Sequence, residues 1–231
     1  VEDEPNSVIR FNSLIYSGIF NSRTGINQSN VFSIGESIVK SADPSNGGIQ
    51  KLYAEDTNLI IFQEAKISRA LIDKDAIYSA EGGGSITNAL LTIGTIQPYA
   101  GEFGISRDPG SFAVYGYRKY FTDKDRNAVL RLSKDGLTEI SNYGMYDYFR
   151  DQFERIDIGV KSGVIIAGWD IHNKQYVLST QANAGSTNSS GFSDEKFNTL
   201  SYDETVRGWT SFYSYRPQQV FSIRNNMYTI S

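Results

Sequence analysis

The sequence has no cysteine. Disulfides, zinc–thiolate centres and cysteine nucleophiles are therefore excluded from its 231 residues. Histidine occurs once, at His172, so no histidine-rich metal cluster can form within the chain. Lysine and arginine form no cluster, and the net charge is −4 with a pI of about 5.1. That balance argues against a dedicated nucleic-acid-binding domain, which carries a basic stripe. No apolar run approaches the roughly 18–20 residues that span a bilayer, so no membrane insertion is expected. The opening VEDEPN lacks an initiator Met and the pattern of a secretory leader, and reads as the start of a fragment of a longer protein.

What is abundant points to strands. Aromatic residues make up 13% of the chain, with 15 Tyr and 13 Phe, and 21 Gly accompany many Asn and Ser. Such a composition favours strands joined by turns over long helices. An all-β chain of this length can form a single unit, and one β-rich domain is expected over 1–231.

Alternating segments with turn signals run through 8–39, followed by the loop SADPSNGG at 41–48. LYAEDTNLIIFQ (52–63) reads strand–turn–strand. EAKISRALIDKDAIY (64–78) fits either period, and strands are the preferred reading. The Gly-rich AEGGGSITN (80–88) lacks both the GK[ST] ending of a P-loop and the GxGxxG spacing, so it is assigned as a flexible loop. Residues 89–111 read as a short apolar run and a long irregular connection. The stretch NYGMYDYFRDQFERI (142–156) is the one helix candidate, with Tyr146, Phe149, Phe153 and Ile156 on one stripe and an Asp151–Arg155 pair on the solvated face. Strands are expected over 160–171 and 174–181, and a mobile loop over 182–196.

An internal repeat organises the rest. YFTDKDRNAVLRL (120–132), AGWDIHNKQYVLS (167–179) and LSYDETVRGWTSF (200–212) each carry an aromatic just before an Asp and a large apolar residue six positions after it. The Asp residues are Asp123, Asp170 and Asp203, and the later residues are Val129, Tyr176 and Trp209. LYAEDTNLIIF (52–62), with Asp56, is a shorter fourth copy. An Asp side chain accepts backbone N–H groups just ahead of it and so starts a turn. Each copy therefore encodes a hairpin, and Trp209 is expected to be a packing residue. The spacings of 67, 47 and 33 residues between these Asp residues suit repeated sheet units with insertions. An all-β fold, a β-propeller or part of one with a single short helix, is the expected architecture.

Candidate chemistry is sparse. His172 falls inside the turn DIHNKQ, a poor place to bury and orient a general base. DKDRN (123–127) begins like a calcium loop, but Ala128 and Lys134 stand where a Gly and a bidentate Glu are needed. Asp56, Asp123, Asp170 and Asp203 could form carboxylate pairs for glycoside hydrolysis, but recurrence at the same place in every copy points to structure. Tyr213 and Tyr215 could stack on sugar rings or on a partner, against a plain role in cross-strand packing. No catalytic residue, cofactor or metal is assigned.

Two segments carry a family resemblance: YFTDKDRNAVLRLSKDGLTEISNYGMYDYFRD (120–151) and LSYDETVRGWTSFYSYRPQQVFSIRNNMYTI (200–230). Their Tyr-Asp turn, Gly-Trp, Ser-Phe, Pro after an aromatic pair, Asn-rich turn and aromatic strand resemble structural tail proteins of tailed bacteriophages. The pattern is most similar to the muzzle or stabilisation proteins of crAss-like phages, which are similar in role to the propeller-bearing nozzle proteins of short-tailed phages. The resemblance implies a virion protein in a homo-oligomeric ring around the tail channel, with other tail proteins as partners and DNA only as passing cargo. It implies no catalytic residues. The rival expectations are a host-surface carbohydrate- or receptor-binding module and, behind it, a propeller glycosidase.

Overall fold

Period-two alternation of β-branched and aromatic residues dominates the chain, and the computed structural model is built mainly of short antiparallel strands. It describes residues 8–18, 20–35, 38–56, 58–78, 84–156, 163–182 and 197–230. The chain divides into two compact units, Val1–Pro98 and Tyr99–Ser231. Each has its own buried cluster.

In the first unit, β1 (Ser13–Ile15), β2 (Phe20–Asn21) and β3 (Ile26–Asn27) follow one another along the chain ahead of the polar loop and the main sheet. β2 and β3 pair with each other, and β1 pairs with β4 (Val39–Ser41). The main sheet is a four-stranded meander of β5 (Ile49–Glu55), β6 (Asn58–Gln63), β7 (Ile67–Tyr78) and β8 (Gly84–Pro98). The ambiguous 64–78 segment is thus a strand from Ile67 onward. The Gly-rich stretch departs from expectation: residues 84–88 belong to β8, paired with β7 from Gly84 onward, while 79–83 lie outside the described residues. Leu14, Ile61, Ala70 and Ile93 form the core of this unit. Buried Gln63 holds the SADPSNGG loop in place, donating from Nε2 to the carbonyls of Asp43 and Gly47, both at 2.9 Å.

The second unit contains two more four-stranded meanders. One consists of β9 (Ala113–Tyr115), β10 (Arg118–Asp123), β11 (Ala128–Ser133) and β12 (Gly136–Glu139). After α1 (Tyr146–Ile156) comes the other: β13 (Val164–Asp170), β14 (Gln175–Gln181), β15 (Phe197–Asp203) and β16 (Gly208–Tyr213). A hairpin of β17 (Gln219–Ile223) and β18 (Asn226–Ile230) follows. β17 comes so close to β13 that a Cβ on Gly168 would meet the Val220 Cβ at 2.7 Å. The 182–196 loop lies outside the described residues from 183 onward.

Helix α1 starts near Asp147 and ends near Arg155, charges that complement its dipole. Phe149, Phe153 and Ile156 are buried in the core with Tyr120, Val129, Trp169, Tyr176 and Leu200. Tyr146 leaves the expected stripe and is half exposed, while Gln152 is buried and accepts from Asn198 Nδ2 at 2.6 Å. The expected Asp151–Arg155 pair is replaced by Arg150, which bridges Asp147 at 2.9 Å and Asp151 at 3.1 Å. Arg150 sits between the two carboxylates on the same exposed face and reaches both. No helix among the described residues is long and apolar enough to cross a membrane.

Candidate functional site

Three of the four repeated Asp residues close hairpins of one geometry. Asp123 pairs with Ala128, Asp170 with Gln175 and Asp203 with Gly208, leaving four tip residues each time. The fourth tip residue is left-handed in all three: Asn127 at φ 57°, Lys174 at φ 56° and Arg207 at φ 53°. The carboxylate accepts from the tip backbone. Asp123 takes the Arg126 N–H at 3.3 Å, Asp170 those of His172 (2.9 Å) and Asn173 (3.2 Å), and Asp203 that of Thr205 at 2.7 Å. Behind the Asp, the next pair is Thr122–Val129, Trp169–Tyr176 and Tyr202–Trp209. The first copy has Thr122 where the others have an aromatic ring, which puts Phe121 on the opposite face of β10.

Asp56 differs. Glu55 pairs with Asn58, so the loop has two residues, and Asp56 is itself at the tip with φ 45°. It is a turn residue that sits in the left-handed region, rather than a strand end that caps a longer tip.

The environments of the other three decide what their carboxylates can do. Asp123 is fully buried and also accepts from the Gly104 N–H and the Ser106 hydroxyl, each at 2.9 Å, and from Arg126 Nη1 at 3.1 Å. It ties the 99–112 connection to the sheet, a long-range bond that no spacing in the sequence announced. Asp170 also accepts from Asn173 Nδ2 at 2.8 Å. Burial pushes the Asp203 carboxyl up, but the Thr205 N–H, Gln175 amide, Thr205 hydroxyl and Val206 N–H outweigh it and hold it below the ordinary range. Each carboxylate is engaged by its own turn. His172 is an exposed tip residue whose N–H serves Asp170. Among the described residues, no group of three or more His, Asp or Glu is placed to hold a metal ion.

Trp209 packs on Phe149 with ring centres 4.7 Å apart, and its Nε1 donates to the Ile140 carbonyl at 3.1 Å. Tyr213 and Tyr215 lie against each other at 5.3 Å and are both half-buried. The Tyr213 hydroxyl meets Ser201 Oγ at 3.4 Å. Burial, with Tyr213 and Asp170 nearby, pushes the Tyr215 hydroxyl up to about 12.

Features absent from the expected set join the two meanders of the second unit. Tyr115, Trp169, Tyr120 and Tyr176 form a ladder of parallel rings at 4.6, 5.1 and 5.1 Å. Its rungs alternate between sheets, from β9, β13, β10 and β14 in turn. Beside it Glu204, the first tip residue after Asp203, accepts from Arg131 at 2.9 Å and from the Tyr120 hydroxyl at 2.7 Å. The alternation AVYGYRKYF signalled strand, but nothing local showed which rings would meet across 49 to 56 residues of chain.

The chain matches no protein-family model and no curated protein.

Proposed function

We propose that this chain is a structural component of a tailed-phage virion, a piece of the wall of the distal tail conduit, built as part of a β-propeller. The observation that carries the reading is the succession of three four-stranded antiparallel meanders, the sheet unit from which propeller blades are made. The identity of the assembly rests on the resemblance of 120–151 and 200–230 to phage tail proteins. Two further features support it. Three of the repeated carboxylates are committed to holding hairpins, as a scaffold requires. The 8–39 stretch leaves large apolar side chains in water, among them Ile9, Ile15, Phe20, Phe32 and Ile34. Such residues suit contact with neighbouring tail proteins or copies of the chain. The net charge of −4 keeps passing DNA from adhering.

Two measurements test this. Light scattering coupled to size exclusion, with negative-stain images, is expected to reveal ring-shaped oligomers of the recombinant chain. Immunogold with an antibody to the chain is expected to mark the distal end of phage tails. A chain that stays monomeric at all concentrations and labels no virion would overturn the proposal.

A further inference from the structure

The end of the β9–β12 sheet where two turns lie side by side carries a feature that the scaffold reading does not use. Tyr115 pairs with Arg118 around the two-residue turn Gly116–Tyr117, and Ser133 pairs with Gly136 around Lys134–Asp135. β10 and β11 are adjacent, so both turns fall at one end of the sheet. Between them is an open cleft of about 430 Å³. This volume suits one or two saccharide rings and is too small for an extended strand of nucleic acid.

The lining is mixed in a specific way. Tyr115 is the exposed end of the ring ladder, fixed by its stacking on Trp169 at 4.6 Å. Tyr117 is more than half exposed, with the Lys134 ammonium 3.9 Å from its ring centre. Arg131 is held by Glu204, which leaves Arg118 and Lys134 as the exposed cations, and among the described residues no carboxylate pairs with Arg118. Asp135 adds an exposed acceptor.

We infer that this cleft is a binding site for a carboxylate-bearing sugar. A pyranose presents an apolar face that lies on an aromatic ring, hydroxyls that donate to a carboxylate such as Asp135, and, in a sugar acid, a carboxylate that Arg118 and Lys134 receive through charge-assisted hydrogen bonds. The rings are already oriented, so little side-chain freedom is lost on binding. Single-stranded nucleic acid also uses aromatic rings and cations, but it needs a positive groove that tracks its backbone. Here Asp135 and Glu204 interrupt the cations, and the chain as a whole is acidic. The inference rests on the cleft alone and is independent of the tail assignment.

The test is a titration of the intact chain, by calorimetry and saturation-transfer NMR, with three acidic probes: trigalacturonate, 3′-sialyllactose and a tetrasaccharide of alternating glucuronate and N-acetylglucosamine. Cellotetraose is the neutral control and an oligothymidylate the nucleic-acid control. At least one acidic probe is expected to bind about tenfold more tightly than cellotetraose, the effect of one charge-assisted contact. Arg118→Gln and Lys134→Gln are each expected to weaken that binding by about tenfold. Both residues are exposed, so the melting temperature should not change, and this serves as the control for folding. Tyr117→Ala should weaken acidic probes as well. The inference fails if none of the acidic probes binds, if cellotetraose binds equally well, if the oligothymidylate binds most tightly, or if the Arg118 and Lys134 variants bind like the original chain.

Discussion

The four repeated Asp residues are chemically identical, and their environments rank them. Asp123→Ala strands the Gly104 N–H, the Ser106 hydroxyl and the Arg126 guanidinium together, and is expected to cost about 3 kcal/mol. Asp203→Ala loses contacts at a partly solvated tip and should cost about 1 kcal/mol. Asp56→Gly is expected to stabilise by about 0.5 kcal/mol, because glycine adopts a φ of 45° without a Cβ penalty. Urea denaturation of the three variants checks the order; equal losses would show that the Asp residues play one common role. The depressed Asp203 carboxyl adds a pH dependence. Its contribution is complete above the ordinary Asp range, near pH 4, and is lost as pH falls through the lower folded value. Between original chain and Asp203→Ala, the stability difference should therefore shrink below about pH 4.

At the scale of elements, the hairpin β17–β18 depends on a missing side chain. Gly168→Ala puts a methyl against Val220, and β17 must move to admit it. Hydrogen exchange should show protection lost over 219–230 and retained in β14 and β15, at an overall cost of about 1–3 kcal/mol. Elements were also what the sequence expressed best. The three Asp-led hairpins and the helix follow from local periodicity and turn chemistry, which involve neighbours within a few residues. The rest depends on distant partners. Tyr146 fits the apolar stripe by period alone, yet it sits at the first turn, where it is half exposed. Residues 84–88 end a glycine-rich stretch that reads locally as a loop, yet they pair with β7. The cleft beside Tyr115 needs two turns from separate hairpins to come together, and no single motif records that.

For the whole molecule, the division at Pro98 and Tyr99 has an energetic reading. The aromatic core of the second unit is complete within Tyr99–Ser231. A chain of 99–231 is therefore expected to fold alone, with a cooperative melt and the near-ultraviolet signature of ordered aromatic rings; a non-cooperative melt would show that the first unit is required. Alkaline stability belongs to this scale too, because several tyrosines act together. Burial pushes the hydroxyls of Tyr120 and Tyr176 well up, and those of Tyr148 and Tyr202 up to about 12. A hydroxyl raised in the fold gives stability that is complete below the ordinary tyrosine value, about 10, and is lost as pH rises through the folded values. The share of tyrosinate absorbance that comes from these four should thus appear together with unfolding above about pH 10, rather than ahead of it.

The ring ladder also has a mechanical meaning. Its rungs come alternately from two sheets, so Trp169 lies between Tyr115 and Tyr120, and Tyr120 between Trp169 and Tyr176. Like meshed gear teeth, they block one sheet from sliding along the other, because each ring would have to pass through its neighbour. A shearing load is borne by all four at once. A peeling load meets them singly, starting from Tyr115, so the joint is strong along the ladder, which crosses the strands, and weak at its open end.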